Sequence, residues 1–344
     1  MLHFDEKDIT SFATSIEKII NELRTSDLTE KGPEYQSFVD HLNNFFLKKF
    51  VMHVHFFKRL LFSVLDSGIN SSILEIGSGY GLNLIILKFL GFENVVGIEL
   101  MQSMNHNANV MINLAKNYLN FNLDNCHSIC GDAESTNFGD KEFEYIISTE
   151  TISHVPSLDR LMRELNRILR DNGLFILSDG NNHSCPYYKR KMLKIWKQTR
   201  NKELEKRIIF LKKHFPDINP HFRASIALHT ELLPLAEVEN IVPNILQTNK
   251  LPMNLYFEGY APVYSQSGVW AEYGFKPVKL ADYFKLYGFS SKIQVYTGSA
   301  RGFPFNIAEK LINLLPNKIK FLFRPNFIVY SKKIDIPRFL IIDG

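Results

Sequence analysis

The order of apolar and polar residues predicts one α/β domain with two additions. Through residue 70 the apolar residues recur at helical spacing and predict amphipathic helices; they include Phe12, Ile16, Ile19, Ile20 and Leu23 and the stretch 45–65. From Ser72 short apolar runs alternate with amphipathic stretches, the pattern typical of strands joined by crossover helices. This alternation stops after Asp179 and resumes later. We therefore predict a helical N-terminal extension over 1–70, a core domain made of 71–180 and 277–335, and a mainly helical insertion over 181–276.

Five short apolar runs in the core domain predict strands that are buried on both faces. They lie at 73–76, 95–98, 127–130, 144–148 and 174–178. Between the last two, apolar residues on one helical face predict a helix over 156–173 that ends at Asn172–Gly173. After the insertion, a helical pattern over 279–289 precedes strand patterns over 291–298 and 326–333, which would complete the same sheet.

Composition and cysteine content narrow the class of protein. The chain has 344 residues, of which 45% are hydrophobic and 22% are charged, as in a soluble globular protein. No segment approaches the roughly 20 apolar residues of a transmembrane helix. Residues 1–10 carry acids where an export signal would carry basic residues, so we expect no such signal. The three cysteines, Cys126, Cys130 and Cys185, form no paired motif, which favours a reducing compartment and a cytoplasmic location.

Positive charge is concentrated in one stretch of the chain. The net charge is only +4, yet residues 186–214 contain eleven Lys or Arg and two Glu. This imbalance indicates either a partner that carries negative charge or the solvated face of one long helix. Both interpretations stay open at the level of the sequence.

The sequence EIGSGYG, which ends the first predicted strand, indicates a tight backbone turn that faces a ligand. Glycines between a strand and a helix present backbone N–H groups to a ligand at the carboxyl end of the strand. The spacing differs from the dinucleotide fingerprint, because Leu82 stands where the third glycine would be, and no Lys-Ser or Lys-Thr pair follows as in a P-loop. Glu75, two residues before Gly77, suits a ligand with a cationic part.

Two further carboxylates follow the next two predicted strands. Glu99 ends the second strand, where a carboxylate can accept hydrogen bonds from both hydroxyls of a ribose. Asp132 follows the third strand and can accept a hydrogen bond from the exocyclic amine of adenine. Because the carboxyl ends of parallel strands meet at one edge of a sheet, these acids predict a nucleoside site.

The motifs EIGSGYG, GIEL, GDAES, FEYIISTETISHV and LNRILRDNGLFILSDG resemble, in this order, class I S-adenosylmethionine-dependent methyltransferases, especially those that act on small molecules. The resemblance is strong over 70–180 and weaker over 277–335. It implies a Rossmann-like, doubly wound sheet of seven strands, mostly parallel with an antiparallel last strand. It also implies S-adenosylmethionine as the cofactor and no metal. The residues that it implies for cofactor binding are Glu75, Gly77, Ser78, Gly79, Gly81, Glu99, Leu100, Asp132, Ala133 and Ser148.

By the same resemblance, the loop after the fourth strand adjoins the methyl group, which Ser148 would face. This loop supplies Glu150 and His154 as candidate catalytic residues. His154 is our hypothesis for the general base, since a hydroxyl acceptor gains from a base within reach. Glu150 would act as a base or orient the amine of the cofactor. His183, after the fifth strand, is a further candidate base.

The expected reaction is methyl transfer to a hydroxyl oxygen of a small acceptor that is anionic or glycan-related. The additions at 1–70 and 181–276 are expected to form a lid over the strand ends.

The stretch 305–327 is apolar and basic, and it predicts either a helix packed on the sheet or peripheral contact with a membrane. The sequence gives no indication of the oligomeric state.

Three other functions are consistent with parts of this pattern. Methylation of RNA is prompted by Tyr187, Tyr188 and Trp196 in the basic stretch, but the low net charge and the lack of a recognised RNA-binding motif disfavour a nucleic-acid partner. A non-catalytic, cofactor-binding role is disfavoured by the intact set of three acids. Aminopropyl transfer from a decarboxylated cofactor would leave Glu75 without a purpose.

Overall fold

The protein is represented by a computed structural model. The structure describes residues 6–30, 49–62, 71–231, 233, 235–252, 260–264, 269–295, 307, 310–323 and 326–334. Contacts divide the chain into two compact units. The first comprises Met1–Ile152, Ser157–Gly180 and Pro277–Gly344, and the second comprises Ser153–Pro156 and Asn181–Lys276.

The first unit is built on one seven-stranded sheet. The described strands of the chain are β1 (Ser72–Ile76), β2 (Asn94–Glu99), β3 (Cys126–Cys130), β4 (Phe143–Thr149), β5 (Leu169–Asp179), β6 (Tyr260–Tyr264), β7 (Val269–Tyr273), β8 (Phe289–Val295) and β9 (Phe327–Lys333). The order in the sheet is β3-β2-β1-β4-β5-β9-β8. Strands β1 to β5 run parallel, and β9 is antiparallel to both of its neighbours. The predicted sheet is therefore confirmed, including its antiparallel last strand.

Helices cover the sheet of the first unit and build most of the second. They are α1 (Glu6–Thr25), α2 (Phe50–Phe62), α3 (Leu82–Phe89), α4 (Gln102–Ala115), α5 (Leu158–Ile168), α6 (Pro186–His214), α7 (Pro220–His229), α8 (Leu235–Thr248) and α9 (Pro277–Lys285). A 3-10 turn spans Ile152–His154 and a short helix spans Asn317–Lys320. Within the described ranges, no helix is both long and apolar enough to cross a membrane.

The N-terminal helices α1 and α2 belong to the hydrophobic core of the first unit. Phe12 of α1 stacks on Phe89 of α3 with 4.2 Å between ring centroids, and its edge meets Phe50 of α2 at 5.1 Å. All three rings are buried. Burial of large aromatic side chains is a major source of stability, so the core of this unit depends on residues before the sheet begins. A lid role for 1–70 stays a prediction.

The boundary between α5 and β5 differs from the sequence prediction. The helix predicted to continue to Asn172–Gly173 ends at Ile168, and the following strand begins at Leu169 instead of residue 174. The buried ammonium group of Lys333 binds the carbonyl oxygens of Asn166 and Leu169 at 2.6 and 2.8 Å. These bonds satisfy carbonyl groups at the end of the helix, a role that a glycine cap was expected to fill. The turn at Asn172–Gly173 instead lies within the irregular first half of β5.

The second unit has its own core between α6, α7 and α8, and a β6–β7 hairpin that the sequence did not indicate. Two of the eleven cations in 186–214 are structural. The guanidinium of Arg200 pairs with the buried carboxylate of Glu231 at 2.6 and 2.9 Å, and buried Arg207 donates to the carbonyl oxygens of Thr230 and Leu233. The other nine cations of α6 are exposed to solvent.

The stretch 305–327 lies partly outside the described residues. Its described part includes the short helix Asn317–Lys320, in which the buried ammonium group of Lys320 donates to the carbonyl oxygen of Ile293 at 3.0 Å. This bond ties the helix to β8. Peripheral contact with a membrane stays a prediction.

Candidate cofactor site

The turn after β1 is held by backbone hydrogen bonds to the next strand. The N–H groups of Gly77 and Ser78 both donate to the carbonyl oxygen of Ile98 in β2, at 2.9 and 3.2 Å. Gly77, Gly79 and Gly81 have φ angles of +70°, +52° and +77°, in the left-handed region that strongly favours glycine. The three glycines are therefore required by the backbone of this turn, which leads directly into α3.

Ser78 points beneath the turn. Its hydroxyl makes a 2.9 Å hydrogen bond with the hydroxyl of Ser128 in β3, and both side chains are buried. Gly97 in β2 permits this arrangement, because a Cβ built there would come 2.5 Å from the Cβ of Ser78. A contact between Ser78 and a cofactor would therefore have to come from its backbone.

Glu99, at the end of β2, links the glycine turn to the start of α4. Its Oε2 accepts a hydrogen bond from the N–H of Gly79 at 2.9 Å, and its Oε1 accepts one from the N–H of Met101 at 3.1 Å. Burial raises the pKa of Glu99, whereas the bonds from Met101 and Gly79 oppose that rise. Each carboxylate oxygen keeps a second lone pair for a ligand hydroxyl. The neighbouring side chain of Leu100 is exposed.

Glu75 is a buried carboxyl group with one occupied and one orphaned oxygen. Its Oε1 accepts hydrogen bonds from the amide nitrogen of Asn83 at 2.7 Å and from the hydroxyl of Thr149 at 3.4 Å. Its Oε2 is buried and has no hydrogen-bond partner among the described residues. Burial raises the pKa of Glu75 from 4.5 to about 8. A buried acceptor without a donor is costly, so this oxygen fits a cationic group of a ligand.

The remaining predicted cofactor residues follow β3 and lie in β4. Asp132 is exposed, and its Oδ1 accepts a hydrogen bond from the N–H of Glu134 at 2.8 Å, which shapes the turn containing half-buried Ala133. Ser148 is paired in register with Ile76, the last residue of β1. Its side chain is fully buried, and its Oγ has no hydrogen-bond partner in the described parts of the chain.

The candidate catalytic residues fall in different units. Glu150 belongs to the first unit, has a φ of +53°, and accepts a hydrogen bond from the N–H of Gly180 at 3.0 Å. His154 ends the 3-10 turn and groups with the second unit. The carbonyl oxygen of the next residue, Val155, accepts a 2.6 Å hydrogen bond from the hydroxyl of Tyr273 in the same unit.

His183 also lies in the second unit. Its ring packs beside Trp196, with 5.4 Å between centroids, and so close to Gly274 that a Cβ there would come 2.0 Å from its Nε2. Burial lowers the pKa of His183, and Lys189 and Lys276 lower it further. The neutral ring is therefore favoured, as a base requires.

Sequence reasoning missed the residues that surround Glu75. Asn83, Thr149 and His53 form a hydrogen-bonded group with this carboxyl, while Thr151 packs against Gly77. One signal was available, since Asn83 is a polar residue in the first turn of a largely apolar helix. The partner of that amide could not be read from the sequence.

Comparison with known proteins finds a similarity over the central part of the first unit. Residues 74–177 match a family model described as a methyltransferase domain. This segment of the chain is similar to methyltransferase domains. The matched segment contains the glycine turn, Glu99, Asp132 and the loop after β4.

Curated relatives match part of this chain. A sterol 4-C-methyltransferase of Caenorhabditis elegans is 22% identical over 199 residues, which cover 52% of this chain and 56% of that protein. A ubiquinone/menaquinone biosynthesis C-methyltransferase of Rickettsia prowazekii is 29% identical over 109 residues, covering 31% of this chain and 44% of that protein. The chain thus spans about half the length of each relative. A solved SAM-dependent methyltransferase of Methanosarcina mazei has a TM-score of 0.43 and 15% identity, with 78% of this chain and 94% of that chain covered.

S-Adenosylmethionine, the cofactor that the sequence predicts, fits the residues at the strand ends. Its ammonium group matches the orphaned Oε2 of Glu75, and its ribose hydroxyls match the free lone pairs of Glu99. A Cβ built at Gly79 would meet no atom of the described residues within 4 Å.

Proposed function

We propose that this protein transfers the methyl group of S-adenosylmethionine to a hydroxyl oxygen of a small acceptor that is anionic or glycan-related. The observation that carries the proposal is the buried carboxyl oxygen Oε2 of Glu75, which has no partner among the described residues and lies two positions before Gly77 in a segment that matches a methyltransferase domain. The three free cysteines support a cytoplasmic setting.

Side chains of the protein would bind the polar groups of the cofactor. Glu75 would bind the ammonium group, Glu99 the two ribose hydroxyls and Asp132 the amine of adenine. The bound cofactor supplies a methyl group that its sulfonium sulfur has already activated. The task left to the protein is to orient the acceptor and exclude water, and orientation alone can lower a barrier by about 7–11 kcal/mol in the best cases.

A hydroxyl acceptor must also lose a proton. We propose His154 as the base that receives this proton, since it follows the end of β4 by five residues. Glu150 is the alternative base, although its carboxylate already accepts a hydrogen bond from Gly180. A base of this kind contributes about 10²- to 10⁴-fold to the rate.

The acceptor class is supported by the charge of α6. Nine exposed cations on this helix, among them Lys191, Lys194 and Lys202, favour an anionic molecule. Three side chains of the basic stretch already have partners within the second unit: Arg200 and Arg207 bind outside α6, and Lys206 pairs with Glu203 on the same helix.

A carbon acceptor is the second candidate. The observation that favours it is that two relatives are named as C-methyltransferases. Carbon and oxygen acceptors make different demands, because a hydroxyl oxygen needs only to lose its proton, whereas a carbon must first be nucleophilic.

Two measurements test these proposals. Calorimetry of the purified chain with S-adenosylhomocysteine tests the cofactor, and absence of binding would refute a methyltransferase. Incubation with S-adenosylmethionine carrying a carbon-13 methyl group and a panel of sugar phosphates, nucleotide sugars and quinols tests the acceptor, because the chemical shift of the transferred carbon separates methyl ethers from C-methyl products. Labelling of total RNA in the same assay, lost steeply as salt is raised, would instead support RNA methylation.

A further inference from the structure

A chain of hydrogen bonds connects the N-terminal helix α2 to the buried carboxyl of Glu75. The side-chain oxygen of Asn83 lies 2.9 Å from Nε2 of His53, and the amide nitrogen of Asn83 donates to Oε1 of Glu75 at 2.7 Å. The same nitrogen lies 3.3 Å from the hydroxyl of Thr149, which itself donates to Oε1. All four residues belong to the first unit.

The donor and acceptor groups of the Asn83 amide give this series of hydrogen bonds a direction. An amide nitrogen only donates and an amide oxygen only accepts. Because the nitrogen of Asn83 faces the carboxyl of Glu75, its oxygen must receive a hydrogen from His53, which therefore carries its proton on Nε2. The amide of Asn83 is thus held from both sides, by Glu75 and Thr149 at its nitrogen and by His53 at its oxygen.

The orientation of Asn83 determines what Glu75 can offer to a ligand. Two donors, Asn83 and Thr149, occupy Oε1, whereas Oε2 is buried and has no partner among the described residues. If the carboxyl group of Glu75 could rotate freely, either of its oxygens could face Asn83 and Thr149, and either could face the ligand. The fixed donors on Oε1 leave Oε2 without a partner among the described residues.

We propose that Asn83, oriented by His53, is a positioning residue that holds Glu75 with one oxygen free for the ammonium group of the methionine part of the cofactor. This inference rests on the proposed function. Through His53, helix α2 contributes to discrimination between the complete cofactor and its nucleoside part. The nucleoside part is bound elsewhere, at Glu99, and does not depend on this chain of hydrogen bonds.

The test compares two ligands on the full chain. S-Adenosylhomocysteine contains the amino-acid part, and 5′-methylthioadenosine lacks it while keeping the nucleoside and the thioether. We expect Asn83→Leu to weaken S-adenosylhomocysteine by about 10-fold or more, the usual effect of losing a hydrogen bond to a charged group. Binding of methylthioadenosine should change by less than about twofold. Asn113→Leu, an exposed asparagine on α4, is the matched control and should alter neither affinity.

His53→Phe and the double variant complete the cycle. His53→Phe should cause the same selective loss, smaller than that of Asn83→Leu. The double variant should bind S-adenosylhomocysteine no more weakly than Asn83→Leu alone, because both changes interrupt one chain of hydrogen bonds. Asn83→Ala serves the same comparison should leucine prevent folding, which thermal melting detects.

The possible outcomes separate this inference from the proposed function. Equal loss of both ligands in Asn83→Leu, or losses from His53→Phe and Asn83→Leu that simply add, would overturn the positioning role while the methyltransferase proposal stands. Failure of the unaltered chain to bind either ligand would overturn both. Selective and non-additive loss of S-adenosylhomocysteine supports the role of the His53 and Asn83 pair.

Discussion

Thr151 lies against Gly77 so closely that a Cβ at position 77 would come 2.3 Å from its Cγ2. This contact joins the end of β1 to the loop after β4. Gly77 and Gly79 look equivalent in the sequence but differ in this respect, since a Cβ at Gly79 would meet no atom within 4 Å in the parts of the chain that the structure describes.

Gly77→Ala should therefore destabilise the protein far more than Gly79→Ala. Both positions have positive φ, which costs an alanine about 1–2 kcal/mol. Alanine at position 77 adds a clash with Thr151, so we expect its free energy of unfolding to fall by about 2–5 kcal/mol. Urea denaturation of both variants checks this difference. Equal stability would mean that Thr151 does not pack on this glycine.

Gly79→Ala should fold but bind S-adenosylhomocysteine poorly. The new methyl group would occupy the open space that we propose for the cofactor. Calorimetry at a temperature where the variant is folded measures this effect. Unchanged affinity would place the cofactor away from the turn.

Glu75→Gln should change the pH dependence of stability. Burial raises the pKa of Glu75 from 4.5 to about 8, so between these values the folded state holds a proton that the unfolded state has lost. The stabilising contribution of this group is complete below about pH 4.5 and disappears as the pH rises through about 8. The neutral amide has no such dependence.

We therefore expect the free energy of unfolding of Glu75→Gln, relative to the unaltered protein without cofactor, to rise by about 2–3 kcal/mol between pH 5 and pH 7. Urea denaturation at the two pH values measures this change, and Glu93→Gln, at an exposed position just before β2, is the control. A difference that is independent of pH would contradict the buried, protonated carboxyl. The same variant should lose affinity for S-adenosylhomocysteine.

Glu99→Gln should weaken S-adenosylhomocysteine and 5′-methylthioadenosine alike. Loss of the charged acceptor for two ribose hydroxyls corresponds to about 10- to 100-fold in affinity. Calorimetry with both ligands, again with Glu93→Gln as the control, measures it. Preserved binding of methylthioadenosine would assign the ribose to another residue.

His154→Ala should lower turnover and leave cofactor affinity unchanged. If His154 accepts the proton of a hydroxyl acceptor, its removal costs about 10²- to 10⁴-fold in rate. The carbon-13 transfer assay and calorimetry measure the two quantities separately. Unchanged turnover would eliminate His154 and direct the same comparison to Glu150 and His183.

The strands were predictable because their signals are local. The runs 73–76 and 95–98 fall within one residue of the observed β1 and β2. A short strand covered on both faces carries apolar side chains at most positions, so its limits are visible in the sequence. The end of α5 was not predictable, because Lys333, which binds its last carbonyl oxygens, is far away along the chain.

The sequence by itself determined the order of the strands along the chain, the glycine turn and the carboxylates that follow β2 and β3, since apolar runs and glycines record burial and backbone conformation residue by residue. Only the tertiary structure decided the partner of each polar group. It turned Ser78 toward Ser128 and gave Glu75 one occupied and one free oxygen. Hydrogen bonds act over about 3 Å, so their pairing depends on how distant segments approach one another in the fold.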